Sequence, residues 1–514
     1  MTDLRQYTAK HKARNSYRGG RVKTHHLRHN THFGNKNNIV MRHKNGEDRF
    51  QTTLLPDAID DFVADDHPVR VIDAFVDSLN FQKLGFSKAQ TKLTGRKPYH
   101  PGDLLKLYLY GYLNQISTSR RLEKECNRNL EVFWLMRRLA PDFKTIADFR
   151  KDNGPAVRGA CRAFIQFCRQ AGLLNTRLIA IDGSKFKAAA SKDQALMRTH
   201  LQRDRKLIEE KVDKYLNLLE HSDKKDEERK IDRSQVLEAL KNLKIKKDKL
   251  DIREATMDEM GSNQHCETEP DAKIMRSGRD GMVLGYNLQN AVDANTGLIV
   301  HHDLTDEGGD FRQLLPMAEA SKKVLGVETL EVLADAGYSN GEHLNSCELL
   351  GITATVPRRK IPSSNKDLYQ KKDFKYISKN DSFICPAGEI LCRSGSDKRR
   401  NLYLYKRKGC NSCELQSQCT KASTRTITRH FFEDAYNRSE ARQKANPDLM
   451  NQRMGIVERP FGILKQAMGF RRFLCRGINR AKSEIAMVIT TYNIKRMFEI
   501  HGVPKLLMLL GSTG

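Results

Sequence analysis

The chain has 514 residues, 39% of them hydrophobic and 30% charged, and its 90 Lys and Arg against 63 Asp and Glu leave a formal net charge of +27. That length exceeds what one hydrophobic core usually organises, so about three units of roughly 100–200 residues are expected, and the positive surplus points to a polyanion, nucleic acid before a merely basic ribosome-associated role. No run reaches the roughly 18–20 apolar residues of a membrane span, and MTDLRQYTAKHKARN lacks the apolar core of a signal peptide, so a cytoplasmic protein without a membrane partner is expected.

Residues 1–49 read as a disordered basic arm. The first forty carry nine Lys or Arg against one acid, Asp3, and Met41 is an alternative start of translation. Helical spacing dominates 50–153. Pro101 opens HPGDLLKLYLYGYL, in which Leu104, Leu105, Tyr108, Leu109 and Tyr112 share a face, and STSRRLEKECNRN, NLEVFWLMRRL and TIADFRK add short basic helices. The segment reads as a helical DNA-binding domain with Arg120, Arg121, Lys124 or Arg137 on phosphates, or equally as a bundle with a solvated charged face.

From 154 to 500 the pattern is mixed. A helix over 156–171 leads to a buried strand over 178–182 inside RLIAIDGSKFKA, and 194–261 then reads as two antiparallel helices forming an insertion. Two β-rich runs flanking DANTG predict a hairpin, followed by a helix over 311–325, the strand of TLEVLADAGYS, the helix of GEHLNSCELLG and the strand of ITATVP. This order describes an α/β fold with a mixed sheet flanked by helices. A basic, cysteine-rich insertion spans 358–420, helices are expected over 438–468 and 481–500, and 501–514 reads as a tail.

Asp182 and Asp335 each sit where an apolar run stops, in IAID and VLAD. Ligands in α/β sheets gather at the carboxyl ends of strands, so two aspartates delivered there by neighbouring strands can share a divalent cation. Mg2+ takes oxygen ligands and keeps waters, which suits phosphate substrates, and a pair of ions about 3.5–4 Å apart supports in-line phosphoryl transfer. Glu458 in NQRMGIVERPFGILKQAMGFRRF is the third carboxylate. Lys465 follows seven residues later, nearly two helical turns, and so shares its face, while Pro460 predicts a kink or a helix start. Taken singly, a strand-end Asp is more often a cap or turn former than a ligand, and Glu458 beside Arg459 could be a plain surface charge.

Eleven cysteines do not make a secreted disulfide scaffold at this length, and five crowd between Cys385 and Cys419. Cys410, Cys413 and Cys419 follow a C-x2-C-x5-C spacing, and Cys385 in ICPAGE supplies a fourth thiolate for a tetrahedral structural Zn2+, with Cys392 as an alternative ligand and free thiols in a loop as the plainer reading.

The chain resembles the bacterial insertion-sequence transposases of the DDE class. QTTLLPDAIDDFV, RKPYHPGDLLKLYLYGYL, STSRRLE and PDFKTIADFRK are similar to their N-terminal domain, and DGSKFKA, TEPDAKIM, GYNLQNAVD, LADAGYS and ERPFGILK to their catalytic domain. The resemblance implies a ribonuclease-H-like core over 154–500, catalytic residues Asp182, Asp335 and Glu458, and two Mg2+ ions, for which Mn2+ can substitute. It further implies DNA partners at element ends and target, a homodimer or larger synaptic assembly, and a nucleoid-associated protein. Related transposases carry a Tyr, Arg, Glu, Lys signature. Here Glu458 and Lys465 keep their spacing, Asn451 and Met454 hold the other positions, and Arg453 takes the arginine role from one residue earlier. Arg453, Lys465, Arg471 and Arg472 are the expected phosphate contacts. The rival expectations are a nuclease that cuts without joining and a transposase-derived DNA-binding regulator.

Overall fold

A computed structural model of the chain describes residues 58–90, 97–174, 177–222, 233–278, 280–359 and 367–511. The basic arm, the Met41 start and most of the polar turn expected between the insertion helices lie outside the described residues. From Ala58 onward the chain forms one unit.

Six helices come first: α1 (Pro68–Asp77), α2 (Pro101–Leu113), α3 (Ser119–Cys126), α4 (Leu130–Leu135), α5 (Phe143–Asp152) and α6 (Gly154–Gln170). Their starts follow from local chemistry. Proline stands at the first turn of α1 and α2, where its missing N–H costs nothing, and Thr118, Asn129 and Asp142 cap α3, α4 and α5 with side-chain oxygens. Nearly all of α2 is buried, including Lys106, which is held between Asp73 and Asp77 of α1 at 2.6 Å each.

The main sheet follows: β1 (Leu178–Lys187), then after the helical insertion β4 (Lys273–Ser277), β5 (Gly281–Asp293), β6 (Ile299–Thr305), β7 (Leu330–Leu333) and β8 (Ile352–Thr355). β1 is central. It pairs antiparallel with β5 on one side and parallel with β7 on the other, β8 continuing parallel beyond β7. β4 and β6 both pair antiparallel with β5, β4 along its first half and β6 along its second, and the β5–β6 turn is the hairpin expected at DANTG. Helices α9 (Leu314–Leu325) and α10 (Gly341–Leu349) connect β6 to β7 and β7 to β8.

Both insertions are visible. A two-stranded ribbon, β2 (Ala195–Met197) with β3 (Gln264–Cys266), brackets α7 (Arg198–Ser222) and α8 (Arg233–Glu259), which pack on each other through Leu201, Leu250 and Met257. The cysteine-rich segment builds its own antiparallel sheet from β9 (Lys375–Ile377), β10 (Ser382–Ile384), β11 (Ile390–Asp397), β12 (Leu402–Lys406) and β13 (Thr426–His430), with the one-turn α11 (Gln416–Cys419) before β13. Phe374, Phe383, Leu391, Tyr405 and Ile427 form its core. The sheet ends at His430, beyond the expected limit of 420, because β13 completes the pairing of β12.

The single helix expected over 438–468 is divided into α12 (Glu433–Ala445) and α13 (Asp448–Gly462), separated at Asn446 and Pro447. Helix α13 runs through Pro460 and loosens into a π-helical turn at Ile463–Ala467. The last helix, α14 (Ile478–Gly511), continues past 500. It kinks at Gly502, whose φ of 69° suits glycine, and resumes as a helix where a tail was expected. Helix α14 packs against α1, α2, α6 and β6, so the helical segment and the sheet share one core.

Candidate active site

The register explains how two distant aspartates meet. β1 and β7 run parallel with Ala180 opposite Leu333, their last pair, and Asp182 and Asp335 each lie two residues farther on. Both carboxylates therefore emerge at the carboxyl end of the pair, where the strands part. Asp335 also caps the following 3-10 turn, accepting from the Gly337 amide at 2.8 Å. Asp182 accepts from the Gly183 amide at 2.8 Å.

Arg453 of α13 reaches between them. Its Nη2 lies 3.7 Å from Asp182 Oδ2 and 3.7 Å from Asp335 Oδ2, and its side chain is 8% exposed. The side chain expected on DNA phosphate thus faces the two carboxylates from inside the protein. Burial pushes the Asp182 carboxyl up to about 6, against the pull of Arg453 and the Gly183 amide. An acid so desolvated favours a neighbouring cation.

Asp310 is a fourth carboxylate at this place. Its Oδ1 accepts from Asn287 Nδ2 at 2.8 Å and Gln289 Nε2 at 2.7 Å and lies 3.5 Å from Lys185 Nζ, and its charge acts on Asp182. Gly183 makes the approach possible: a Cβ there would stand 2.4 Å from Gln289 Nε2 and 2.6 Å from Asp310 Oδ1. The sequence reading missed Asp310, which follows the strand β6 in a Gly-rich loop, GGD, with no apolar run before it to mark it.

Asp182 and Glu458 line one open cavity of about 420 Å3, together with Lys465 and Arg471. Glu458 is exposed on α13, and among the described residues its side chain has no hydrogen bond or ion pair. The π-helical turn brings Lys465 back onto the cavity, where Nζ donates to Ser184 Oγ at 2.7 Å and to the Lys185 carbonyl at 3.1 Å and lies over the Phe186 ring. Arg471 donates to the Lys465 carbonyl at 3.0 Å. Arg472 is exposed beside Lys187, outside the cavity lining. Of the earlier basic candidates, Arg137 is paired with Asp103 at 2.8 Å and Arg120 lies over the Phe143 ring.

Cys385, Cys410, Cys413 and Cys419 surround a second, much smaller cavity of about 30 Å3, while Cys392 is exposed on β11 and outside it. Glycines in the left-handed region, Gly388 and Gly409, shape the turns that carry Cys385 and Cys410. Burial and the three other thiols raise the Cys419 thiol above its usual range. The side chains are not drawn to coordination distance at either place: among the described residues no group of three or more His, Cys, Asp or Glu stands in metal-binding geometry. No described helix is long and apolar enough to cross a membrane.

Comparison with known proteins matches residues 57–152 to a transposase domain, DUF772, and residues 384–498 to a transposase DDE domain. The second match spans Glu458 and all four clustered cysteines. No curated protein matches the chain. A solved cryo-EM structure, a piggyBac transposase synaptic complex with hairpin DNA, aligns over 87% of this chain and 79% of that one at 11% identity, with a TM-score of 0.32. In this order along the chain, the transposase domain and the transposase DDE domain support an insertion-sequence DDE transposase.

Proposed function

We propose that the protein binds the terminal inverted repeats of its own element, hydrolyses a phosphodiester at the element end and joins the freed 3′-hydroxyl to target DNA. Asp182, Asp335 and Glu458 are the catalytic carboxylates of a ribonuclease-H-like core over 154–500, and 50–153 is the helical DNA-binding domain. The observation that carries this reading is the convergence of Asp182 and Asp335 on a single cationic group, the Arg453 guanidinium, beside the cavity that Asp182 shares with Glu458. The core assignment is supported by a central β1 with antiparallel strands on one side and parallel strands on the other, both aspartates lying just past the end of the β1–β7 pairing.

The donor set fits Mg2+, or Mn2+ in its place: oxygen ligands only, one of them desolvated, with a cation already favoured between two of them. Two such ions, when bound, supply an activated hydroxyl and stabilise the leaving oxygen. The chain's own groups do the rest. Strand register brings Asp182 and Asp335 to one place, and the Arg453 guanidinium between them offsets the repulsion of their charges. Lys465 and Arg471, both on the cavity wall, position phosphate oxygens, and exposed Arg472 extends the same basic rim. Four thiolates suit a structural Zn2+ that locks the turns of the cysteine-rich sheet, and a cavity of about one water's volume leaves room for an ion. Two element ends must be held together, so the working form is a dimer or larger assembly on chromosomal DNA.

The test is an in vitro reaction with element-end DNA, a target plasmid and Mg2+, comparing wild type with Asp182→Ala, Asp335→Ala and Glu458→Ala. Each substitution is expected to abolish cut and joined products while leaving end binding intact. Cleavage that survives all three sinks the site, cleavage without joining makes the protein a nuclease, and binding without cleavage makes it a regulator.

A further inference from the structure

On another part of the molecule, the outer edge of β6, a cavity of about 760 Å3 opens between α6, α9 and α14. It shares no lining residue with the cavity of Asp182 and Glu458. Its walls carry five cations, Arg158, Arg162, Arg169, Lys323 and Lys482, against one acid, Asp303.

The acid is already neutralised. Lys482 Nζ lies 2.7 Å from Asp303 Oδ1, and Arg158 is engaged with Ser483 Oγ at 2.7 Å and the Asn479 carbonyl at 3.2 Å. That leaves Arg162, Arg169 and Lys323, all exposed, with no carboxylate paired to them among the described residues. Three cations without a carboxylate partner give the hollow a positive field that draws an anion.

Spacing decides what size of anion. Arg162 and Arg169 are seven residues apart on one face of α6, and seven residues at 1.5 Å each make a stripe about 10 Å long. A single phosphate would meet only one end of it, whereas a nucleic-acid strand, with a phosphate about every 3.4 Å along the axis, presents charge over its whole length. Lys323 of α9 widens the stripe from across the hollow. The first turn of α14, which contributes Lys482, follows directly on the segment bearing Arg471 and Arg472, so the two basic surfaces are joined by one short stretch of chain.

We propose that this groove is a second phosphate-backbone surface, holding double-stranded DNA away from the reacting phosphodiester through Arg162, Arg169 and Lys323. The proposal rests on the reading of the protein as a DNA transposase. It adds a place where affinity is generated without touching the catalytic carboxylates.

The experiment uses the full chain, a labelled duplex of arbitrary sequence and fluorescence anisotropy across a series of KCl concentrations. The triple variant Arg162→Gln, Arg169→Gln, Lys323→Gln replaces exposed side chains only, and its thermal midpoint checks that it folds. It is expected to bind about tenfold more weakly or worse, with the salt slope reduced by about 2–3, near 0.9 for each phosphate no longer neutralised. The charge-conserving variant Arg162→Lys, Arg169→Lys should keep the wild-type slope. Wild-type affinity and slope in the triple variant overturn the groove, as does a collapse of the slope in the lysine variant. Displacement of the duplex by equimolar inorganic tripolyphosphate in wild type, with no such displacement in the triple variant, would assign the groove to a free polyphosphate and overturn the DNA proposal. If the groove fails while Lys465→Gln with Arg471→Gln still weakens binding, the transposase reading stands alone; if wild type binds no duplex at all, both fall.

Discussion

Glu484 is the residue whose loss should be felt most widely. It is fully buried on α14, and its Oε1 accepts from Tyr112 Oη and Arg150 Nη1 at 3.3 Å each, while Oε2 accepts from the Leu474 and Cys475 amides at 3.0 Å each. Tyr112 and Arg150 belong to the N-terminal helices, and Leu474 and Cys475 follow the arginines beside the catalytic cavity, so one carboxylate ties three parts of the unit together. Glu484→Ala strands a buried guanidinium, at about 3–5 kcal/mol, and orphans two amides that share part of that cost, so about 4 kcal/mol in all is expected. Spread over roughly 450 residues at about 2.1 cal/mol/K each, this lowers the thermal midpoint by about 4 °C. Scanning calorimetry reads the shift directly. Combining Glu484→Leu with Arg150→Met removes the stranded charge and should recover part of the loss. A midpoint for Glu484→Ala within about 1 °C of wild type, or a double variant no better than the single, would refute the reasoning.

At the root of the cysteine-rich sheet, Glu433 accepts from Arg358, Lys371 and the His430 amide; burial works against its charge, but the two cationic hydrogen bonds outweigh it and hold the carboxyl at about 2. With the folded value below the ordinary 4.5, the stabilisation, roughly 3 kcal/mol, is complete above pH 4.5 and disappears as pH falls toward 2. Thermal melts should therefore show Glu433→Gln less stable than wild type at pH 7 and converging with it near pH 2, and a gap independent of pH contradicts the pairing. Gly183→Ala pushes a methyl against Gln289 and Asp310, which are hydrogen-bonded to each other and cannot both give; a loss of about 1–3 kcal/mol in denaturant-measured stability is expected together with loss of DNA cleavage. Metal analysis of purified protein should find near-stoichiometric zinc in wild type and Cys392→Ser but not in Cys410→Ser or Cys419→Ser. Equal loss from Cys392→Ser rejects the ligand assignment.

Much of the frame was legible because it is written in local periodicity. The spacing of Leu104, Tyr108 and Tyr112 marked α2, DANTG marked the β5–β6 turn, and the ends of two apolar runs marked Asp182 and Asp335. What escaped has no local signature. Arg453 was singled out for phosphate, and its place between two carboxylates exists only once α13 is laid across the end of the β1–β7 pairing; Asp310 becomes relevant only because β5 presents Asn287 and Gln289 to it. Glu484 and Glu433 read as ordinary helix carboxylates, since their partners lie up to hundreds of positions away in the chain. The continuation of α14 was hidden by Gly502 and Pro504, which resemble a terminator but here produce only a bend.

The ribbon of β2 and β3 has a consequence for how such a chain can change. Because Ala195 sits opposite Cys266, the hairpin of α7 and α8 departs from the sheet and comes back at the same spot. Its length is nearly invisible to the rest of the fold: each doubling of the excursion adds only about 0.6 kcal/mol of closure entropy. Elongation, trimming or outright replacement by a tight turn would leave the spacing of Asp182 and Asp335 untouched. The arm is therefore a module whose reach natural variation can tune while the catalytic geometry is inherited unaltered.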